Sequence, residues 1–503
     1  MASHTTQRAP RRSANVAECA LWLAAAAVAY WLDVDSIGTG TAFPTTVLSA
    51  LCLALGARIW LGHGGALITP QALFGFAFGV YFGAGGFYQA SHLHDTVMEP
   101  WLRDALFIGY TVTAVIFFGF WTNERRPLRR RLLPDATARG LAMLGTAIVV
   151  AAIVIRVGRI GGYQGMALAS LAGWGGFFLA AIGLILCERA RVLSWRTLFI
   201  VVMFAAYVRF VHPGSGRLSL VTLAFVIAAI CALRWRTPLI KIAVVASALP
   251  VMSWLAAYRL RHVETINYGG SQGRDGLESA FRPVAGFAEL LRAQAAGWVE
   301  PAGPGVFASF PALFVPDSLW PDKPQALGYA IVEVTLPTHF GSGHSDAASI
   351  FGEWLWSFGL VGVVMMVPVV ALAVNALHRL AVWALDRELD GWRTVALCVA
   401  LVVSAGAPEL LWMGTHNAAV RTTLRLLPLL LVVAVVTWRW AGRAAANLNA
   451  GQNMPLVSGF PTWPGRVGGP PERGRPAAPR HRAAAGTTRS YGRATTAAVP
   501  SRS

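Results

Sequence analysis

The segment Phe314-Val315-Pro316-Asp317-Ser318-Leu319-Trp320-Pro321-Asp322-Lys323-Pro324 lies in a long polar stretch that separates two blocks of apolar sequence. The stretch covers residues 259–346 and is rich in Gly and Pro. The flanking blocks, 16–258 and 347–443, contain apolar runs of about 20 residues, the length of a helix that crosses a bilayer. The sequence therefore predicts an all-α, polytopic transmembrane bundle with one large loop.

The composition favours the same class of protein. Of the 503 residues, 55% are hydrophobic and 13% are charged, whereas soluble domains carry about 25% charged residues. The net charge of +18 does not indicate nucleic acid as a partner. Much of it lies in short basic connections and in an Arg-rich tail, where topology signals are expected.

The distribution of basic residues predicts the orientation of the bundle. We identify about twelve apolar spans, each near the length of a membrane helix, and basic connections such as 123–139 and 234–241 then fall on the same side as the N-terminus. Because cytoplasmic loops are enriched in Lys and Arg, residues 1–15 and the tail 444–503 should be cytoplasmic. The loop 259–346, between the ninth and tenth spans, should be extracytoplasmic. The Pro-, Gly- and Arg-rich tail cannot bury a core and is expected to be disordered.

Four arginines on the predicted outer side are candidates for binding an anionic ligand: Arg217, Arg259, Arg421 and Arg425. A charged residue inside a span costs about 2.5–3.5 kcal/mol, so it usually faces a partner or a wet cavity. The guanidinium fork binds phosphate oxygens in a bidentate manner, and Arg421 and Arg425 share a helix face because they are spaced i, i+4. The alternative is that these side chains extend to the membrane interface.

Carboxylates and histidines on the same side are candidates for proton transfer. Glu353 lies in the first turns of the span after the loop, and Glu409 lies at the outer end of the eleventh span, just before the segment that contains His416. A carboxylate or His beside a wet pocket could accept a proton from a sugar hydroxyl. The alternative for Glu353 is an ion pair with an arginine, and for His344 and His416 a plain polar loop position.

The loop also has a stiff aromatic segment. Pro321 and Pro324 flank Lys323 and restrict the chain next to Trp320. Trp320 could stack on a sugar face or lie in the aromatic belt of the membrane interface.

Three short motifs resemble the bacterial O-antigen polymerases, also called oligosaccharide repeat-unit polymerases. The motifs are Pro316-x-x-x-Trp320-Pro321-Asp322-Lys323-Pro324-x-x-x-Gly328, then Gly352-Glu353 with Phe358-Gly359-x-x-Gly362, and Gly214-Ser215-Gly216-Arg217. The resemblance covers roughly residues 205–365. Asp317 stands where that family often has an arginine, so the diphosphate would need another arginine in this chain.

The resemblance implies a GT-C-like glycosyltransferase in the bacterial cytoplasmic membrane. Its substrate would be an oligosaccharide linked to undecaprenyl diphosphate, polymerised at the outer face of the membrane. Arg217, Arg421 and Arg425 would stabilise the leaving diphosphate, and Glu353 would be the general base. The other expected substrate-binding residues are Lys323, Trp320, Arg259, His344 and Glu409.

The expected partners are the lipid-linked oligosaccharide, the bilayer, and possible flippase and chain-length regulator proteins. No cofactor or metal ion is implied, since the predicted outer side carries no carboxylate cluster suited to Mg²⁺. Three alternatives are open: an O-antigen ligase-type enzyme with another acceptor, a transporter or flippase of lipid-linked sugars, and a structural scaffold of the cell envelope.

Overall fold

The computed structural model describes residues 12–31, 43–92, 98–120, 130–188, 194–212, 217–263, 277–312, 315, 318–335, 346–389, 391–431 and 433. These residues are helical apart from short connections, and the described ranges hold no named strand. The tail 444–503, His344 and the pair Pro316-Asp317 lie outside the described residues, so their predicted roles stay predictions.

Ten helices precede the predicted loop. They are α1 (Arg12–Trp31), α2 (Phe43–Gly62), α3 (Pro70–Phe78), α4 (Gly85–His92), α5 (Glu99–Ala114), α6 (Asp135–Val157), α7 (Gly162–Ile185), α8 (Trp195–Ala206), α9 (Arg217–Trp235) and α10 (Leu239–Val263). A π-helical segment, Gly79–Ala84, joins α3 to α4, and similar segments extend α5 and α8. Thr69 starts α3 by accepting the Ala72 N–H, and Pro70 follows it at the first helical position.

The loop and the second apolar block are also helical. The loop contains α11 (Glu278–Ala295), α12 (Gly305–Ala312) and α13 (Leu327–Thr335). The block after it contains α14 (Ser349–Asp386), α15 (Gly391–Ala405) and α16 (Ala407–Met413). A further helix, α17, covers 415–431.

Seven helical segments are long and apolar enough to cross a membrane: Phe43–Gly62, Glu99–Gly119, Asp135–Val157, Gln164–Ile185, Leu218–Trp235, Ser349–Asp386 and Gly391–Met413. Two shorter apolar helices cover Asn15–Trp31 and Leu239–Leu255. The helical class predicted from the sequence is confirmed for the described residues. The count of about twelve spans and the side on which the loop lies stay predictions.

Small residues let neighbouring helices approach closely. A Cβ added to Gly56 of α2 would lie 2.6 Å from the Cα of Gly79. Gly145 of α6 packs directly against the backbone of α7 at Gly176 and Ala180. Such close backbone contacts are characteristic of helix pairs in membranes, where association depends on van der Waals packing.

The loop helix α11 is part of the core. Val284, Phe287 and Leu290 on one face of α11 are fully buried, in the cluster that also holds Phe82 and Phe351. The apolar residues of α11 recur at helical spacing, so they lie on one face of the helix. The loop thus contributes a wall to the helical body.

An ion pair fixes the segment before α14 to α11. Arg282 donates to both carboxylate oxygens of Asp346, at 2.9 and 2.7 Å, and its second partner is Glu289. Burial alone would lower the pKa of Arg282, but Asp346 and Glu289 raise it well above its usual range. The cation is therefore retained in its half-buried position.

Helix α14 is broken at Gly359, within the Phe-Gly-x-x-Gly motif. Gly359 has φ 66° and ψ −158°, a conformation that residues with a side chain avoid. The loop satisfies the carbonyls before the break: Ala302 N–H donates to Trp356 O and Gly303 N–H to Ser357 O, both at 2.9 Å. The glycine motif is thus a helix interruption closed by the loop.

Candidate functional site

A buried ion pair joins α16 to α17. The guanidinium group of Arg425 donates to both oxygens of Glu409, at 2.6 and 2.7 Å. Both side chains have no exposed surface. A bidentate pair of this kind is the strongest form of Arg–carboxylate contact.

Residues from two other helices complete the surroundings of Arg425. Its guanidinium carbon lies 4.6 Å from the ring centroid of Trp174 on α7. Its Nη2 atom lies 3.2 Å from Ser219 Oγ, in the first turn of α9. Arg425, which the sequence predicted to bind diphosphate, is therefore paired with protein groups. The ion pair with Glu409 fixes its guanidinium group in this position.

Arg421 is the arginine of the pair that remains accessible. As the i, i+4 spacing predicts, it reaches the same carboxylate: Arg421 Nη1 donates to Glu409 Oε1 at 3.2 Å. Its side chain is 23% exposed and lines a cavity of about 210 Å³. One carboxylate thus faces two guanidinium groups, and the excess positive charge lies beside the cavity.

The walls of this cavity are apolar. They come from α3 and its π-helical extension, α9, α10, α11 and α16, with Phe76, Phe225, Val251 and Trp412 among the lining side chains. Arg421 is the single charged residue among the lining residues that the structure describes. The lining of α10 runs from Val244 to Leu255, about 16 Å at 1.5 Å per residue.

The backbone brings two further predicted arginines to this region. Arg217 is the first residue of α9 and directly precedes the lining residue Leu218. Arg259 lies one helical turn after Leu255 on α10. The side chains of Arg217 and Arg259 lie outside the described residues.

Glu353 of α14 contacts the start of α17 and is fully buried. Its Oε2 atom accepts the Thr415 N–H at 2.7 Å and the Thr415 hydroxyl at 2.6 Å. Oε1 has no hydrogen-bond partner among the described residues. The carboxylate satisfies the free N–H at a helix N-terminus, where negative charge is favoured. The predicted role of Glu353 as general base stays a prediction.

Gly414 permits this arrangement. It has φ +79°, and an added Cβ would lie 3.0 Å from the carboxyl carbon of Glu353. The left-handed conformation and the close carboxylate both favour glycine at this position. Gly414 and Thr415 thus form the binding position for the Glu353 carboxylate. The sequence did not indicate this contact.

His416 and Ser309 form a polar contact that the sequence analysis missed. Ser309 Oγ on α12 lies 2.6 Å from His416 Nδ1 on α17, across 107 residues of sequence. Burial lowers the pKa of His416. No local pattern marks Ser309, because its partner is distant in the chain.

The loop residues Trp320 and Lys323 are outside the cavity lining. Trp320 is 38% exposed, and neither residue is among those that line the cavity. Their predicted roles in binding sugar stay predictions. Exposure of Trp320 on the loop is compatible with either stacking or an interface position.

Comparison of this chain with models of protein families, with curated proteins and with solved structures found no match. The functional interpretation therefore depends on the geometry described above and on the motifs in the sequence.

Proposed function

We propose that this protein polymerises oligosaccharide repeat units carried on undecaprenyl diphosphate, at the outer face of the cytoplasmic membrane. The observation that carries the proposal is the cavity in which apolar walls meet a single exposed guanidinium group, Arg421. A lipid diphosphate has the matching chemistry, with a long hydrocarbon chain and an anionic head. Membrane-capable helices around the cavity would give the lipid access from the bilayer.

The reaction transfers the growing glycan from its carrier to a hydroxyl of the next lipid-linked unit. The hydroxyl oxygen bonds to the anomeric carbon, the bond from that carbon to the diphosphate breaks, and the diphosphate leaves with the electron pair. Arg421 would stabilise the negative charge on the leaving group, as preorganised donors do in a low-dielectric site. Arg217 and Arg259 approach the same cavity along the backbone and are candidates to assist.

The buried Glu409–Arg425 pair would serve the site indirectly. Because Arg425 takes both oxygens of Glu409, Arg421 keeps one longer contact of 3.2 Å. That contact can be exchanged for a phosphate oxygen while Glu409 remains paired. Glu353 of α14, which contacts the start of α17, would be the candidate to take the proton from the acceptor hydroxyl.

Purified full-length protein reconstituted in liposomes with lipid-linked repeat units tests the proposal. We expect the wild-type protein to produce a ladder of polymer lengths and the Arg421→Ala variant to produce no polymer. Loss of a charge-assisted hydrogen bond, about 1.5–3 kcal/mol, should weaken binding of undecaprenyl diphosphate about 10- to 100-fold. Arg139→Ala is the matched control, since Arg139 is an exposed arginine on α6 that donates to the Asp135 carbonyl of its own helix.

The products distinguish the alternatives. Transfer to an acceptor other than a lipid-linked repeat unit would identify a ligase-type enzyme. Movement of the lipid-linked sugar between leaflets without new glycosidic bonds would identify a transporter. Polymer of wild-type length from Arg421→Ala would exclude Arg421 from the reaction.

A further inference from the structure

The hydroxyl of Tyr81 is a buried donor at the cavity. Tyr81 is 6% exposed and is one of the lining residues. The other two buried tyrosines that the structure describes, Tyr110 and Tyr207, each donate to a backbone carbonyl. The structure gives the Tyr81 hydroxyl no hydrogen-bond partner among the described residues. Because buried polar groups nearly always have a partner, a ligand in the cavity is the natural acceptor for this hydroxyl.

Arg421 also has donors without a partner in the described part of the chain. A guanidinium group carries five N–H hydrogens, and the structure records one hydrogen bond for Arg421, to Glu409 at 3.2 Å. Arg425 takes both oxygens of Glu409, at 2.6 and 2.7 Å. Arg421 can therefore bind a ligand at the cavity while Glu409 stays paired.

Glu409 is a common neighbour of these two donors. It accepts the hydrogen bond from Arg421 and acts electrostatically on the Tyr81 hydroxyl. Pro408, the residue before Glu409, lines the cavity as well. Tyr81 and Arg421 therefore belong to the part of the cavity next to Glu409.

The backbone fixes the side from which the Tyr81 ring projects. Gly79 and Gly83 of the π-helical segment lie against α2, where an added Cβ at Gly83 would be 2.7 Å from the backbone nitrogen of Leu53. Tyr81 lies midway between these glycines, roughly half a turn around the helix from each. Its side chain thus leaves the segment on the side away from α2, and close packing behind it holds the ring toward the cavity.

An anionic acceptor suits these donors better than a neutral one. Two guanidinium groups, those of Arg421 and Arg425, face the single carboxylate of Glu409, so the local charge is positive. A hydrogen bond to an ionised acceptor is roughly twice as strong as one between neutral groups. The apolar walls of the cavity strengthen the attraction, because charges interact more strongly at low dielectric.

We propose that the Tyr81 hydroxyl and the Arg421 guanidinium group together bind the diphosphate of the lipid carrier. The ligand named here rests on the polymerase function proposed above. Arg421 supplies the charge, and Tyr81 supplies a neutral hydrogen bond that positions the phosphoryl group. The hydrocarbon chain then lies along the apolar face of α10 that lines the cavity from Val244 to Leu255.

Binding of undecaprenyl diphosphate to the purified full-length protein in detergent is the principal test. Tyr81→Phe removes the hydroxyl and keeps the ring, so the loss of a hydrogen bond to a charged group should raise Kd about 10- to 100-fold. Undecaprenol, which has the same chain without the diphosphate, should bind the wild type and Tyr81→Phe equally. The matched control is Tyr110→Phe, which should keep the wild-type Kd because Tyr110 is not a lining residue and donates to a backbone carbonyl.

Thermal unfolding separates a ligand contact from a structural role. Without ligand, Tyr81→Phe should unfold at the wild-type temperature, because its hydroxyl makes no hydrogen bond to the described residues. Tyr110→Phe should unfold at a lower temperature, because it loses a hydrogen bond within the protein. Undecaprenyl diphosphate should raise the unfolding temperature of Tyr81→Phe less than that of the wild type, since a weaker ligand stabilises less.

A double-mutant cycle shows whether the two donors meet the same head group. A diphosphate that has lost Arg421 is held less firmly against Tyr81. The variant with both Tyr81→Phe and Arg421→Ala should therefore lose less affinity than the product of the two single losses. A loss equal to that product would overturn the shared site.

Three other results would overturn the inference. The first is an equal Kd of the wild type and Tyr81→Phe for undecaprenyl diphosphate. The second is undecaprenol that binds as tightly as undecaprenyl diphosphate, which would leave no anion site. The third is inorganic diphosphate that binds as tightly as the lipid, which would show a site for a free anion. A wild type with the expected Tyr81-dependent binding that makes no polymer would instead remove the proposed function and leave the anion site standing.

Discussion

Arg425 and Glu409 form a fully buried, bidentate ion pair between α16 and α17, with both N–O distances below 2.8 Å. The neighbouring Arg421 shares the same carboxylate and faces the cavity. The two arginines lie one helical turn apart, yet one is a packing residue and the other is open to a ligand. The difference arises from the helices that surround each side chain.

Replacing one member of the buried pair should destabilise the protein. Arg425→Met leaves Glu409 buried with only the longer contact to Arg421, and breaking a buried pair costs about 3–5 kcal/mol. We expect a clear fall in the thermal unfolding temperature in detergent. The double variant Glu409→Leu with Arg425→Met removes both charges and should recover most of the stability. Equal unfolding temperatures for Arg425→Met and wild type would contradict the structural role.

Variants of Glu353 distinguish capping from catalysis. Glu353→Gln keeps an oxygen that can accept the Thr415 N–H, whereas Glu353→Leu leaves the buried donor without a partner, at a cost of about 1–3 kcal/mol. We expect both variants to leave single repeat units on the carrier, because neither has a carboxylate to act as base, and thermal stability to fall in Glu353→Leu. A stably folded Glu353→Gln that extends chains to wild-type length would instead limit this carboxylate to capping.

The break in α14 can be tested at Gly359. Gly359→Ala places a side chain at φ 66° and ψ −158°, and such strain costs about 1–3 kcal/mol. We expect reduced thermal stability and weaker packing of the loop against α14, seen as faster proteolysis within 294–303. Gly391→Ala is the control, because an added Cβ there meets nothing within 4 Å. Similar losses in the two variants would argue against a strained break.

Cysteine labelling tests the side of the membrane on which the loop lies. Leu319→Cys introduces a thiol on the loop at a position that is 77% exposed, and Trp392→Cys does so at 62% exposure in a predicted cytoplasmic connection. The native cysteines are free, and four of the five are buried. We expect a membrane-impermeant maleimide to label intact cells at 319 and only permeabilised cells at 392. The opposite pattern would place the loop in the cytoplasm and end the proposed function.

Local sequence predicted the helical class and the relation between Arg421 and Arg425. Apolar character over a 20-residue run and i, i+4 spacing are properties of a single helix, so they can be read without the partners of that helix. The Phe-Gly-x-x-Gly motif was visible in the sequence, but the motif alone did not show that Gly359 breaks α14.

The pairing of the polar side chains depended on the tertiary structure. Glu353 meets Thr415 across 62 residues and Ser309 meets His416 across 107 residues. In a mostly apolar interior each buried polar group needs a partner, but which partner it finds depends on how distant helices pack. The sequence by itself thus determined that the protein is helical and apolar, with a few charged side chains that need partners in its interior. Only the packing of α14, α16 and α17 decided that Arg425 and Glu353 are held by protein groups, while Arg421 lines the cavity.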